Sequence, residues 1–243
     1  MIPYKQISNI GIPGSISSVP GWVLEYDPFD NNSLNTSLWA DNDPDNKFIE
    51  QNGRMELEVD IVTNNNVVNG GSAETSLLSL NTYSNTMLVA QADLSLTNYV
   101  GPNDTSFLYF GLNRANETNI AVNASQILVG RTSGKNDDEG ARCQIWTGTS
   151  LRYDIDDGAS YADFSDYVTV KIVSDSSHNQ SFYKWSGGAW VQMGSTQVWN
   201  IRVAQDLRTF FKYKQINASD EDSIFHIRNY YLSSQDYTTQ YPE

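Results

Sequence analysis

Residues 28–62 read PFDNNSLNTSLWADNDPDNKFIEQNGRMELEVDIV, and this stretch indicates the fold of the whole chain. A polar turn leads to Trp39 and then to an acidic loop. Asn52-Gly53 follows, a dipeptide typical of a tight hairpin turn. Apolar and acidic residues then alternate over residues 55–61. A period of two predicts a strand with one buried face and one face in water.

The same alternation recurs along the chain in short runs that polar turns separate. Strand candidates cover residues 22–26, 47–51, 54–62, 74–80, 86–97, 105–113, 126–131, 141–147, 151–155, 167–174, 181–185, 189–193, 207–215 and 223–232. This spacing is typical of an all-β sandwich or barrel. The sequence contains no convincing long helix and no internal repeat, so we predict an all-β protein with antiparallel sheets.

We predict one domain over residues 22–234, because no linker-like stretch interrupts the strand candidates. Residues 1–21 contain several Gly and Pro residues, which indicates an extended N-terminal arm. Such an arm either drapes over its own domain or reaches a neighbouring subunit. Residues 235–243 are expected to form a C-terminal tail.

Composition excludes several classes of partner. The 243 residues carry a formal net charge of −14, which disfavours binding to nucleic acid or to an anionic membrane surface. The chain has no apolar run of the roughly 18 residues that a membrane-spanning helix needs. Cys143 is the one cysteine, so an intrachain disulfide is impossible. Its position in an alternating run predicts a small core residue.

The order of motifs along the chain resembles the concanavalin A-like lectin/glucanase superfamily, including its LamG-like jelly rolls. The entry segment has Phe-Asp, a polar turn, Leu, Trp and an Asn-Gly turn into a strand (residues 29–60). Later come the strand YVTVKIV (167–173), the hairpin YKWSGGAW (183–190) and the last strand SIFHIRNYYLSS (223–234). The resemblance implies an antiparallel two-sheet jelly-roll sandwich over residues 22–234, with one concave sheet.

The hydrolases of this superfamily imply a test for catalysis. Laminarinase-type members use Glu-x-Asp-x-Glu, or the same motif with one extra residue before the second Glu. This chain offers Glu58 and Asp60, but Val62 and Thr63 occupy the positions of the second Glu. Glycosidases need two carboxyl groups. We therefore predict that the chain is not an enzyme. The alternative is a glycoside hydrolase or lyase that acts on a polysaccharide with a displaced acid pair.

The acidic loop after Trp39 is a candidate metal site. Asp41, Asp43 and Asp45 place three carboxylates at alternate positions. Hard oxygen ligands of this kind suit a structural Ca²⁺ ion, which jelly rolls of the lectin type often hold. The alternative is a solvated turn without a metal.

Aromatic and charged residues in one stretch provide a candidate ligand site. Arg142 and Trp146 lie on one predicted strand, and Arg152 and Tyr153 lie on the next. A ring that covers the apolar face of a sugar, beside polar groups that bind its hydroxyls, is a usual arrangement for carbohydrate. The alternative is that the aromatic rings fill the sandwich core.

These observations favour a non-catalytic jelly-roll module that binds glycan or contacts neighbouring protein subunits. The chain begins with Met and shows no secretory leader, which is typical of virion proteins such as phage capsid decorations or fibre modules. We therefore expect the protein outside the cell or on a virion surface. The arm over residues 1–21 would then attach it within a homo-oligomer or a larger assembly.

Overall fold

In a computed structural model, the protein forms two antiparallel β-sheets that enclose one hydrophobic core. The structure describes residues 22–42, 48–58, 72–84, 87–97, 105–116, 123–131, 141–156, 166–199, 206–216 and 224–236. The fifteen strands in these ranges are numbered in chain order. No helix within them is long and apolar enough to cross a membrane.

The first sheet has eight strands. They are β1 (Val23–Asp27), β3 (Phe48–Gln51), β4 (Arg54–Glu58), β6 (Leu88–Thr97), β11 (Val168–Ser174), β12 (Asn179–Ser186), β13 (Ala189–Val198) and β15 (Ile224–Ser233). The spatial order is β13-β12-β11-β6-β15-β4-β3. β1 also pairs with β15, alongside residues 230–233, whereas β4 pairs with residues 224–227.

The second sheet has seven strands. They are β2 (Trp39–Asn42), β5 (Ser72–Ser79), β7 (Thr105–Arg114), β8 (Ala124–Arg131), β9 (Ala141–Thr147), β10 (Ser150–Asp156) and β14 (Leu207–Ile216). Their spatial order is β10-β9-β8-β7-β14-β5-β2. The chain thus crosses between sheets repeatedly, as a jelly roll requires, and the predicted all-β, two-sheet architecture is confirmed.

The entry segment anchors the core between the sheets. The ring of Trp39 lies 5.6 Å from that of Phe211 in the second sheet and 5.0 Å from that of Tyr230 in the first. The Trp39 indole N–H donates to Asp27 Oδ2 over 2.8 Å, and the backbone N–H of Phe29 donates to Asp27 Oδ1 over 3.0 Å. Because buried polar groups need partners, Asp27 fixes both aromatic residues in place.

The structure differs from the sequence prediction at Trp39. We expected a loop after this residue, but Trp39–Asn42 forms strand β2, which pairs with the edge of β5. Four residues are too few to show a period of two.

Most other predicted strands agree to within a few residues of their ends. Cys143 is fully buried in the core, as predicted. The predicted arm over residues 1–21 lies outside the described residues.

Candidate functional site

The candidate site lies on the outer face of the second sheet, at strands β8, β9 and β10. β9 and β10 form a hairpin in which Thr147 pairs with Ser150, so that a two-residue turn, Gly148-Thr149, joins them. The backbone N–H of Gly148 donates to Asn123 Oδ1 over 2.6 Å, which ties the turn to the start of β8. The hairpin is therefore held in a fixed position on its neighbour.

Strand alternation decides which side chains reach this face. Cys143 and Ile145 on β9 belong to the core. Arg142, Gln144 and Trp146 therefore point away from the core. Gln144 pairs in register with Gln126 on β8 and with Asp154 on β10. These five residues, Gln126, Arg142, Gln144, Trp146 and Asp154, are called the β8–β10 patch below.

A continuous chain of hydrogen bonds joins the patch. Gln126 Nε2 donates to Gln144 Oε1 over 3.1 Å, and the Trp146 indole N–H donates to the same oxygen over 3.1 Å. Gln144 Nε2 donates to Asp154 Oδ1 over 3.2 Å. Arg142 Nη2 completes the chain with an ion pair to Asp154 Oδ2 at 2.8 Å. The Trp146 ring and the Arg142 guanidinium are thereby oriented before any ligand arrives.

The outermost groups of the patch remain accessible. The side chains of Arg142 and Asp154 are 25% and 27% exposed, and Trp146 is half-buried. Gln144 and Gln126 lie beneath them, at 8% and 1% exposure. The patch thus presents a cation, an anion and an aromatic surface on a buried polar base.

Polar atoms deeper in the same sheet are left unsatisfied. Within the described part of the chain, Gln126 Oε1 and both side-chain polar atoms of Asn113 are buried without a hydrogen-bond partner. Asn113, on β7, pairs in register with Arg208 on β14. Burial lowers the pKa of Arg208 from its ordinary value. Buried polar atoms without partners are uncommon in native proteins, so each of them calls for an explanation.

A β-bulge separates the four predicted ligand residues. The β9–β10 register shifts between Leu151 and Tyr153, so that Tyr153 pairs with Ile145 of the core. A shift of one residue moves every later side chain to the other face. Tyr153 therefore points inward, and its ring stacks on Phe182 with centroids 6.3 Å apart. Asp154 takes the outward position in its place.

Arg152 is likewise separated from the patch. Its side chain is exposed and lines a hollow with Ile145, Thr147 and Val198 at the β10–β13 end of the sandwich. Of the four predicted residues, the structure brings together Arg142 and Trp146. The prediction missed Gln126, which follows Ser125 and precedes the apolar run Ile127-Leu128-Val129 on β8. Nothing in that local pattern marks Gln126 as a site residue.

The predicted metal residues do not form a site in the described residues. Asp41 lies in strand β2 with an exposed side chain, while Asp43 and Asp45 lie outside the described ranges. The ranges that are described contain no group of three or more His, Cys, Asp or Glu residues placed to hold a metal ion. The calcium site stays a prediction.

Solved structures share this fold. No family model matches the sequence, and no curated protein matches it. A structure from endo-acting O-glycanases of the human gut microbiota, which initiate mucin breakdown, aligns over 88% of this chain and 100% of its own, with a TM-score of 0.62 and 10% identity. The CBM2 module of the evolved Dit of Lactobacillus casei BL23 phage J-1 aligns over 88% and 97%, with a TM-score of 0.61 and 11% identity.

A third structure, the carbohydrate recognition domain of Emp47p, aligns over 92% of this chain and 100% of its own, with a TM-score of 0.58 and 12% identity. Identities this low establish the fold and leave the activity open. The two-sheet topology and these structural matches show that the chain has the concanavalin A-like jelly-roll fold that the sequence resemblance implied.

Proposed function

We propose that the protein is a non-catalytic jelly-roll module that binds glycan through the β8–β10 patch. The single observation that carries this proposal is the hydrogen-bonded chain from Gln126 to Arg142 beside the half-buried ring of Trp146. Sites whose side chains are already oriented bind ligands at a lower entropic cost.

The patch has the chemistry that a neutral sugar requires. The ring of Trp146 offers an apolar surface for the C–H face of a pyranose, and its N–H is already used by Gln144. Arg142 supplies hydrogen-bond donors for sugar hydroxyls, and Asp154 supplies acceptors. The ion pair between them offsets their charges, so the patch does not depend on a charged ligand.

The carboxylate content of the patch supports the non-catalytic part of the proposal. Among the side chains described in the patch, Asp154 is the sole carboxylate, and Arg142 pairs with it at 2.8 Å. A retaining glycosidase needs two carboxyl groups about 5–5.5 Å apart, and an inverting enzyme needs two about 6.5–9.5 Å apart. A nucleophile held in an ion pair without an acid partner does not meet either requirement.

The proposal places the module on an exterior attachment structure, such as a phage capsid decoration or fibre. Its structural match to a carbohydrate-binding module of a phage Dit protein supports this placement. In such a setting, the glycan-binding face points to the host surface and another part of the chain attaches to the assembly.

A glycan array with and without Ca²⁺ tests the proposal, followed by calorimetric titration of the best neutral oligosaccharide. We expect Trp146→Ala and Arg142→Gln each to weaken its binding by at least about tenfold. Trp22→Ala and Arg152→Gln serve as matched controls, because they make the same changes at positions outside the patch and should leave the Kd unchanged.

A hydrolysis screen on β-glucans and mucin-type glycans accompanies the array. We expect no turnover. If the protein hydrolyses a glycan and Asp154→Asn or Glu58→Gln abolishes that activity, the enzyme alternative is established. If no glycan on the array binds in a way that Trp146→Ala weakens, the glycan proposal is refuted.

A further inference from the structure

A second surface with oriented polar side chains lies on the outer face of the first sheet, on the opposite side of the sandwich from the β8–β10 patch. Leu94, Val170 and Ile227 belong to the core. By strand alternation, Asp93 on β6 and Arg228 on β15 therefore point outward. Asp93 and Arg228 are paired in register on adjacent strands.

Asp93 is the fixed centre of this surface. It is 7% exposed and accepts three hydrogen bonds: from Thr169 Oγ1 over 2.7 Å, from Asn229 Nδ2 over 2.8 Å and from Arg228 Nε over 3.2 Å. The β15 register shifts just after Arg228, where Asn229 has a φ of 51°. Such irregularities change the direction in which side chains point. Here the shift allows Asn229 to donate a hydrogen bond to the same Asp93 carboxylate that Arg228 contacts.

Two contacts orient the Arg228 side chain, but the end of its guanidinium group faces solvent. Its guanidinium carbon lies 3.7 Å from the centroid of the Tyr167 ring, and its Nε is held by Asp93. Within the described residues, Nη1 and Nη2 have no hydrogen-bond or ion-pair partner, and the side chain is 43% exposed. A planar fork with two outward nitrogens, held on a ring, matches the two oxygens of a carboxylate.

A second arginine lies beside the same ring. Arg54 on β4 is adjacent to Arg228, because Met55 pairs with Ile227. It forms an ion pair with Glu56 at 2.5 Å. Burial raises the pKa of Tyr167, while Arg54 and Arg228 both act to lower it, so both cations lie around this phenol. Arg54 adds a second positive charge beside the same ring, while its Nε and Nη2 are held by Glu56.

Aromatic rings extend the surface along neighbouring strands. Val170 pairs with Lys184, which places Trp185 on β12 next to Thr169. Trp185 and Trp190 are half-buried and form an edge-to-face pair with centroids 5.2 Å apart. Adjacent strands lie about 4.8 Å apart, so this pair is roughly three strands, or 14 Å, from Arg228. If one sugar unit binds at Arg228, these aromatic faces lie where a second or third sugar unit would be. The surface therefore favours an oligosaccharide as the ligand over an isolated anion.

We propose that Arg228, held by Asp93 and Tyr167, binds the carboxylate of an acidic sugar, and that this site is independent of the β8–β10 patch. The chain's net charge of −14 repels anions at long range. Salt screens this long-range repulsion, so binding should be weakest at low ionic strength and should depend on the contacts of the local arginine fork.

Methyl glucuronide and methyl glucoside, which differ by the carboxylate alone, test this site by two-dimensional NMR titration of the whole chain. We expect methyl glucuronide to shift the resonances of Arg228, Tyr167 and Thr169, and methyl glucoside to leave them in place. Arg228→Gln should weaken glucuronide binding by at least about tenfold, and Arg228→Lys should also weaken it because the charge remains but the fork is lost.

Arg152→Gln removes the same charge from an exposed position on the other sheet, outside both proposed sites, and should retain glucuronide binding. N-acetylaspartate amide distinguishes a sugar acid from an acidic peptide side chain, and we expect weaker binding of this probe. Equal binding of either N-acetylaspartate amide or methyl glucoside would overturn the proposal, as would unchanged glucuronide binding by the Arg228 variants. Arg228→Lys keeps the positive charge beside Asp93, so the test holds if Arg228→Gln fails to fold.

Discussion

The hydroxyl of Tyr230 donates a hydrogen bond to Glu25 Oε2 over 2.5 Å in the interior between the two sheets. Glu25 is 3% exposed, and it also accepts hydrogen bonds from Ser79 over 2.6 Å and from Tyr83 over 3.2 Å. Glu25 and Tyr230 belong to the first sheet, whereas Ser79 belongs to the second. The carboxyl group therefore connects the two layers.

Burial raises the pKa of Glu25 from its ordinary value of 4.5, although the hydroxyl donors act to lower it. The folded state then keeps a proton that the unfolded state releases. The stability that this proton confers is complete below pH 4.5 and is lost as the pH rises toward the higher folded pKa. Glu25→Gln, which stays neutral, should gain stability relative to the native chain as the pH rises, by up to about 1.4 kcal/mol per pH unit.

Urea unfolding of both proteins between pH 4.5 and about pH 8 measures this difference. Burial also raises the pKa of Asp27 and Glu50. Both proteins retain those groups, so their contribution cancels in the comparison. Parallel stability curves for the two proteins would show that Glu25 titrates normally.

Asn113 provides a prediction about the cost of an unsatisfied buried amide. Its side chain is fully buried, and neither of its polar side-chain atoms has a hydrogen-bond partner within the described residues. An unsatisfied buried polar group costs about 1–3 kcal/mol. Asn113→Val should therefore raise the free energy of unfolding by about 1 kcal/mol, because valine also suits a strand. Thermal or urea unfolding provides the measurement.

Asn113→Asp is the matched control, since it keeps the shape and adds a charge in the same position. We expect it to lower the stability because a buried charge is costly. A loss of stability in Asn113→Val would mean that the native amide is satisfied by ordered water.

Gly111 is required by a close approach of two neighbours. A Cβ at this position would lie 2.7 Å from the Phe210 ring and 2.7 Å from the backbone oxygen of Ser125. Gly111→Ala should therefore lower the free energy of unfolding by about 1–3 kcal/mol. The double variant Gly111→Ala/Phe210→Leu should recover part of that loss, because the ring can be removed but the carbonyl cannot. Full recovery would indicate that the ring is the sole obstacle.

Tyr153 tests the β-bulge in β10. Its hydroxyl accepts a hydrogen bond from the backbone N–H of Ser195 over 2.9 Å, which joins β10 to β13. Tyr153→Phe should lower the free energy of unfolding by about 1 kcal/mol and leave glycan affinity unchanged. Calorimetric unfolding and a glycan titration measure the two effects. Weaker glycan binding with unchanged stability would place Tyr153 on the outer face, against the register.

Local sequence patterns predict much of this fold, and particular strands show why. Residues 141–147 alternate outward polar and inward apolar side chains, and the predicted strand matches β9 at both ends. The same alternation places Arg142 and Trp146 on one face. The entry segment supports the resemblance to jelly rolls, but the core position of Trp39 is seen only in the structure. It does not predict β2, which is a short edge strand that forms only where β5 offers backbone partners.

The candidate sites depended on information that local patterns do not carry. An alternating pattern in β10 predicts Tyr153 beside Trp146, but the bulge after Leu151 turns Tyr153 inward and Asp154 outward. The pairing of Gln126 with Gln144, and of Arg228 with Asp93, joins residues that are far apart in the chain. No period along one strand reveals which strand lies next to it.

The sequence alone determined that alternate side chains are apolar, that polar turns separate the runs, and that the strands must bury those side chains together in a sandwich or barrel. The tertiary structure decided the order of strands within each layer and the single extra residue in β10. The physical reason is that side-chain burial depends on local alternation, whereas a binding surface is built across hydrogen-bonded neighbours, whose identity and register are settled when the layers pack.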